Sequence, residues 1–201
     1  MQKRKTIREL LAVGRHRLDP GQSRKVAALV LGNPRKVSQL VECLWDEDPG
    51  VSNRAADALE RATCHKPAIA QPWKESLIGL MAEAEQNKLR WNLALLVPRL
   101  ALDVMDARRA ATALRSYLDD KGSIVKTAAM HGLAALTKHD PELLPEVIDM
   151  LRVLSRSGTP AMRARGRILL KQFEAAGNRR AIIAHSSGRQ KHISIYAQPT
   201  H

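Results

Sequence analysis

The sequence predicts an all-α chain whose paired helices stack as a right-handed α-α superhelix, an α-solenoid. Three observations predict it. Proline repeatedly follows a residue able to cap a helix, one apolar template recurs every 36 to 38 residues, and the core-forming residues favour helices. Apolar residues make up 44% of the 201 residues and aromatics only 3%, so the core must be built from Leu, Ala, Val, Ile and Met. Leu, Ala and Met are good helix formers. Val and Ile seldom alternate with polar residues as a half-buried strand requires. The length suits one domain with a sizeable core.

The proline marks are Asp19-Pro20, Asn33-Pro34, Asp48-Pro49, Asp140-Pro141 and Thr159-Pro160. In each, a side chain that can accept a backbone N–H precedes a residue with no N–H to waste in the first helical turn. Gln71-Pro72 is a weaker version, and Ser123 is a cap without proline. The predicted helices are Lys5–Arg17, Pro20–Leu31, Pro34–Glu47, Pro49–Cys64, Pro72–Glu85, Lys88–Val97, Val104–Asp119, Ser123–Lys138, Pro141–Arg156 and Pro160–Ala176. Gly122, Gly158 and Gly177 sit where helices should stop. The organisation read from this is a basic capping pair over 1–32, repeats over 33–177 and a basic, patternless tail over 178–201, poorly ordered or loosely docked.

The second helix of each pair carries an apolar residue followed by small or apolar residues four, seven and eight places later. Val51 leads to Ala55, Ala58 and Leu59, and Leu89 to Leu93, Leu96 and Val97. Val125 leads to Ala129, Gly132 and Leu133, and Met162 to Gly166, Leu169 and Leu170. These steps share one face of a helix. A two-helix unit of this length cannot bury that face alone, so neighbours must stack.

This template resembles that of HEAT repeats, an armadillo-like helical family, over roughly residues 21–177. The family's basic slot after the apolar residue holds Arg90, Lys126 and Arg163, with Ser52 in the first repeat and Arg54 two residues on. Its acidic residue, five places before the apolar one, is Asp46 and Asp120, and is missing at Ala84 and Ser157. The resemblance implies about four HEAT-like hairpins behind an N-terminal capping hairpin. It also implies side-chain bonds between repeats, such as Asp46 to Arg90 or Asp120 to Arg163. It says little about function.

Net charge is +13 and lies at the ends: +8 over residues 1–36, −3 over 37–120, +4 over 121–176 and +4 over 177–201. An excess of this kind suits a polyanion or an acidic protein surface. On an N-terminal helix Arg4, Arg8 and Arg15 fall close to one face, opposite Ile7, Leu10, Leu11 and Gly14. Such a basic helix can bind anions or simply cap the first repeat. Arg90, Lys126 and Arg163 either form a basic ladder along the second helices or bond between repeats. Arg163 and Arg167 are four apart, Lys171 extends their face, and Arg165 adds to the cluster. Trp45 and Trp73 read as packing residues. Trp91, two places beyond Leu89, should leave the core face and stand as a binding hot spot beside Arg90.

Catalytic signals are weak. Seven His residues show no metal-ligand spacing, and there is no Gly-rich phosphate loop, G-x-S-x-G or H-E-x-x-H. No cofactor is expected. Cys43 and Cys64 form no C-x-x-C, no signal peptide is evident and no run of about 20 apolar residues occurs, so a reducing, cytoplasmic setting is expected. The leading expectation is a non-enzymatic binding module that presents a partly basic concave surface to a protein partner or nucleic acid. A competing class is a HEAT-like DNA glycosylase acting on alkylated bases. Trp91, Asp103, Asp106, Arg108 and Arg109 are the residue types such an enzyme uses. A hydrogen-bonded carboxylate in the groove beside an exposed Trp would favour it. A third class is a structural adaptor with an apolar outer patch.

Overall fold

The computed structural model describes residues 5–16 and 19–193, with side chains up to residue 177. Among the described residues ten α-helices follow in order: α1 (Ile7–Ala12), α2 (Ser23–Gly32), α3 (Val37–Glu42), α4 (Pro49–His65), α5 (Lys74–Glu83), α6 (Asn87–Leu96), α7 (Val104–Tyr117), α8 (Ser123–Leu136), α9 (Leu144–Ser157) and α10 (Pro160–Ile193). Short 3-10 turns over Pro34–Lys36, Pro67–Trp73 and Pro141–Leu143 precede α3, α5 and α9, and further ones follow α3 and α6. No strand occurs among the described residues, as the sequence predicts.

The proline marks act in different ways. Asp48 accepts from the Gly50 N–H and starts α4 as expected, and Asp140 accepts from the Glu142 N–H at the 3-10 turn before α9. Asp19 instead accepts from the Gly21 N–H, and Gly21 adopts φ +50, so α2 begins only at Ser23. Asn33 makes no side-chain cap. Ser123 is the first helical residue rather than the cap, and its hydroxyl pairs with that of Thr159. α1 is cut to six residues: a capping box between Thr6 and Glu9 opens it, and Val13 is already extended. Arg15 therefore lies beyond the helix and shares no helical face with Arg8, which corrects the expected basic face. α10 also departs from expectation, since its backbone runs through Gly177 to Ile193. A single glycine in a helix costs only about 1 kcal/mol and does not end it unaided.

The second helices pack in succession, α2 on α4, α4 on α6, α6 on α8 and α8 on α10. The first helices also touch in turn, α1 with α3 and α5 with α7. The template residues supply these contacts. Val51, Ala55, Leu59, Leu93, Val125 and Ala129 are all buried. Burying each of the larger ones contributes about 1.5–3 kcal/mol. Gly132 marks a close approach. A Cβ placed there would lie 2.6 Å from the Ala94 carbonyl oxygen on α6 and 2.8 Å from a Leu114 methyl on α7.

Ion pairs bridge the hairpins, with a direction opposite to the one expected. Two aspartates before second helices, Asp46 and Asp120, bind a basic residue of the preceding hairpin. Asp46 takes both edges of Arg8, at 2.6 and 3.1 Å, and Asp120 takes Arg90 Nη1 at 2.8 Å. The reason is level: Arg90 sits in the first turn of α6, beside the turn that leads into the neighbouring α8. Its Nε donates to the Ala84 carbonyl and its guanidinium lies 5.2 Å from the centroid of the buried Tyr117 ring. The Tyr117 hydroxyl donates to the Met81 carbonyl at 2.6 Å, and burial pushes its pKa up. Changing Arg90 to Met leaves the buried Asp120 carboxylate with the Gly122 N–H at 2.7 Å as its remaining hydrogen bond. Thermal melts should show a loss of about 2–3 kcal/mol, below the usual cost of breaking a fully buried pair because Arg90 is partly solvated.

Candidate functional site

The second helices leave two adjoining cavities on one face. The larger, of ≈ 690 Å³, is lined by Asp57 and Arg61 of α4, Lys88 and Trp91 of α6, and Ile124 and Val125 of α8. The smaller, of ≈ 210 Å³, is lined by Trp91 and Leu95 of α6, Ile124 and His131 of α8, and Ala161 and Arg165 of α10. Trp91 and Ile124 belong to both and form the shared wall. Helical spacing explains the grouping, since Lys88, Trp91 and Leu95 follow one another at steps of three and four along α6. Trp91 is partly buried and packs against the core, so it is an edge of the groove rather than a fully exposed ring. Ile124 is 62% exposed at the mouth.

One carboxylate enters this groove. Asp57 is 6% exposed, accepts from the Ser23 hydroxyl, and takes Arg61 Nε at 2.9 Å and Nη2 at 3.3 Å. It fixes Arg61 and ties α2 to α4. Burial lowers the Lys88 pKa, with Arg54 and Arg61 adding to the effect and Asp57 opposing it.

His131 has a buried Nδ1 without a hydrogen-bond partner among the described residues. Its pKa is lowered below the ordinary 6.5, first by burial and then by Arg165, Arg99 and Lys138. The fold thus favours the neutral ring. Its contribution to stability is complete above about pH 6.5 and is lost as pH falls below it. His131→Gln should flatten the fall in urea midpoint between pH 7.5 and pH 5. A fall parallel to that of the unaltered protein would count against this placement.

The expected site residues scatter. Arg4 lies outside the described residues. Arg8 is spent on Asp46, and Arg15 pairs with Asp19 at 3.2 Å. Arg90 is bound to Asp120 and Ala84, and Arg163 Nη1 donates to the Gly158 carbonyl at 2.7 Å. The basic ladder is therefore largely internal. Lys126 is partly buried outside both cavities, and Arg167 and Lys171 are exposed on α10. Of the α10 cluster, Arg165 is the one that reaches the groove, because it shares a helix face with Ala161, four residues earlier, and Arg163 does not. Trp73 packs against the core, whereas Trp45 is 48% exposed and is not the packing residue expected. Asp103 and Asp106 form the capping box of α7, while Arg108 and Arg109 pair with Asp140 and Glu75. None of these four lines a cavity that Trp91 lines. Asp57, Arg61, Lys88 and Ile124 were not singled out from the sequence. The i, i+4 spacing of Asp57 and Arg61 was the one available signal, and such pairs are common on solvated faces.

Among the described residues no group of three His, Cys, Asp or Glu is placed to hold a metal ion, and no helix is long and apolar enough to cross a membrane. Cys43 is buried and Cys64 is exposed, both as free thiols. Comparison with family models, with curated proteins and with solved structures returns no match.

Proposed function

We propose that the chain is a non-enzymatic module of HEAT-like repeats, a right-handed superhelix that binds a partner, protein or nucleic acid, in the groove lined by its second helices. The carrying observation is the pair of adjoining cavities divided by Trp91 and Ile124, with Arg61, Lys88 and Arg165 among their linings. An apolar depression with a tryptophan edge and few polar groups is the usual form of a binding site. The test is a salt-titrated binding assay against duplex DNA, single-stranded DNA, RNA and polyglutamate. Binding to any of these that weakens on Arg165→Glu supports the reading. Binding to all four that ignores Arg165→Glu and Trp91→Ala would remove the groove from consideration.

A second reading, a DNA glycosylase acting on alkylated bases, draws on one observation: the hydrogen-bonded Asp57 carboxylate stands in the same cavity as Trp91. Against it, Arg61 and Ser23 already occupy Asp57. Release of an alkylated base from DNA by the protein, lost on Asp57→Asn, would establish this reading. No release would dismiss it.

A further inference from the structure

We propose that the smaller cavity is a separate binding site for a small aromatic monocarboxylate, with its ring beside Trp91, Ala128 and Ala161 and its carboxylate on the Arg165 guanidinium and the Nε2–H of His131. This goes beyond the partner-binding reading and does not rest on it.

The space comes from residue size. α8 packs against α6 on one side and α10 on the other, and each helix gives the cavity residues at helical spacing. Ala128 and Ala161 carry a single methyl each where α8 and α10 line the same cavity as the indole, and the gap is ≈ 210 Å³. That is the room of about seven waters. It suits one ring with its carboxylate and falls below the about 300–1,000 Å³ that larger ligands occupy. Ile124 and His131 stand two turns apart on α8, so the cavity runs about 10 Å from an apolar foot to a polar head.

The polar head matches one anion. Arg165 is partly exposed and, among the described residues, makes neither a hydrogen bond nor an ion pair. It differs in this from Arg90 and Arg163, which are turned to protein oxygens. It differs also from the cations of the larger cavity, where Arg61 is held by Asp57 and Lys88 is engaged as well. No Asp or Glu among the described residues lines the smaller cavity, and the Thr127 hydroxyl donates to the Ser123 carbonyl. His131 therefore supplies the second polar group. Its Nδ1 is buried without a partner, whereas Nε2 is neither buried nor hydrogen-bonded among the described residues. Orphaned buried N–H groups are rare, so the neutral ring keeps its proton on Nε2, where it can donate into the cavity. One cation and one neutral donor balance a single carboxylate. A phosphate dianion would carry charge with no partner, and a neutral ligand would leave the Arg165 charge unmatched. Trp91 selects the ring, because an aromatic body gains an edge or offset stack on the indole that a saturated one lacks.

The 15N-labelled full chain is titrated with benzoate and followed by NMR, the Trp91 indole signal being assigned by its loss in Trp91→Phe. The Trp91 indole and His131 ring signals should shift saturably. Benzyl alcohol, neutral and of similar size, should bind at least tenfold more weakly, and cyclohexanecarboxylate at least threefold more weakly. Arg165→Gln should raise Kd at least tenfold, and Ala161→Leu, which fills the cavity from an exposed position, should abolish the shifts. Arg167→Gln, an exposed cation of the same helix outside the cavity, should leave Kd within twofold. Arg165 and Ala161 both lie outside the buried core, and the spectrum of each variant reports its fold. Absence of saturable shifts, or shifts that survive both Arg165→Gln and Ala161→Leu, would overturn the site and leave the partner-binding reading standing. Benzyl alcohol binding as tightly as benzoate would overturn the carboxylate, and cyclohexanecarboxylate binding as tightly would overturn the aromatic ring.

Discussion

Gly132→Leu should abolish cooperative unfolding, and Gly132→Ala should lower stability despite adding a better helix former. Alanine in place of glycine within a helix normally contributes about 1 kcal/mol. At Gly132 the new Cβ meets the Ala94 carbonyl oxygen at 2.6 Å and a Leu114 methyl at 2.8 Å. The first of these is backbone of a helix locked on both sides, so α6 and α8 must separate. Overpacking of that kind costs about 1–3 kcal/mol for a small insertion. The net effect of Gly132→Ala is therefore a loss centred on about 1 kcal/mol and reaching about 2 kcal/mol. Leucine adds three more carbons to the same clash and should consume most of the about 5–15 kcal/mol that holds a domain of this size together. Gly79 on α5 is the control, since a Cβ there meets nothing within 4 Å. Gly79→Ala should raise Tm by about 2–4 °C. Opposite shifts at two helical glycines separate close helix packing from propensity, and equal shifts would show that α6 and α8 are not in this contact.

Arg54→Met is expected to lower Tm by about 6–12 °C and to free α1. Arg54 is 3% exposed, with no ion-pair partner among the described residues. It holds carbonyls instead: Nε donates to Leu11 and Nη1 to His16 at 3.3 Å. Leu11 lies in the last turn of α1, where carbonyls have no partner within the helix. The guanidinium thus serves as a C-terminal cap delivered from α4. Gly14 and Gly50 leave the room, since a Cβ at either would lie 2.5 or 2.7 Å from the guanidinium nitrogens. Methionine keeps most of the volume and removes the donors. Relief of the buried charge offsets part of the loss, but two carbonyls lose their donor at about 1–3 kcal/mol each, giving a net cost of about 3 kcal/mol. Hydrogen exchange of the Ile7–Ala12 amides should then approach the rate of an open helix while α6 and α8 stay protected. Unchanged exchange in α1 would contradict the capping role.

Helix number and pairing were legible because the template at Val51, Leu89, Val125 and Met162 encodes them directly: each position repeats the burial need of the last. Helix starts were legible only where the cap and the proline act on the same turn, as at Asp48. At Asp19 the same dipeptide makes an isolated turn, because Gly21 follows with a positive φ. The direction of the bridges between hairpins was hidden. Asp120 to Arg90 and Asp120 to Arg163 are equally good on paper, and the choice is made by which helix lies level with the turn. The groove was half legible. The offset of Trp91 from the Leu89 face pointed to it, but its cationic rim comes from Arg61, Lys88 and Arg165, and their meeting is set by the packing of α4, α6, α8 and α10.

An open row of hairpins is tested most directly by small-angle X-ray scattering on the chain ended after Gly177. Five helix pairs about 10 Å apart, two layers deep and with helices about 25 Å long, form a block of about 50 Å by 20 Å by 25 Å, with a radius of gyration of about 17 Å and a longest dimension of about 60 Å. A compact globule of 177 residues has a radius of gyration of about 16 Å and a diameter of about 40 Å. The radii nearly coincide, so the longest dimension decides. An asymmetric, long-tailed distance distribution reaching about 60 Å is the expected result. A symmetric distribution ending at about 40 Å would mean that the helices close on themselves, leaving no extended face of second helices to form the groove.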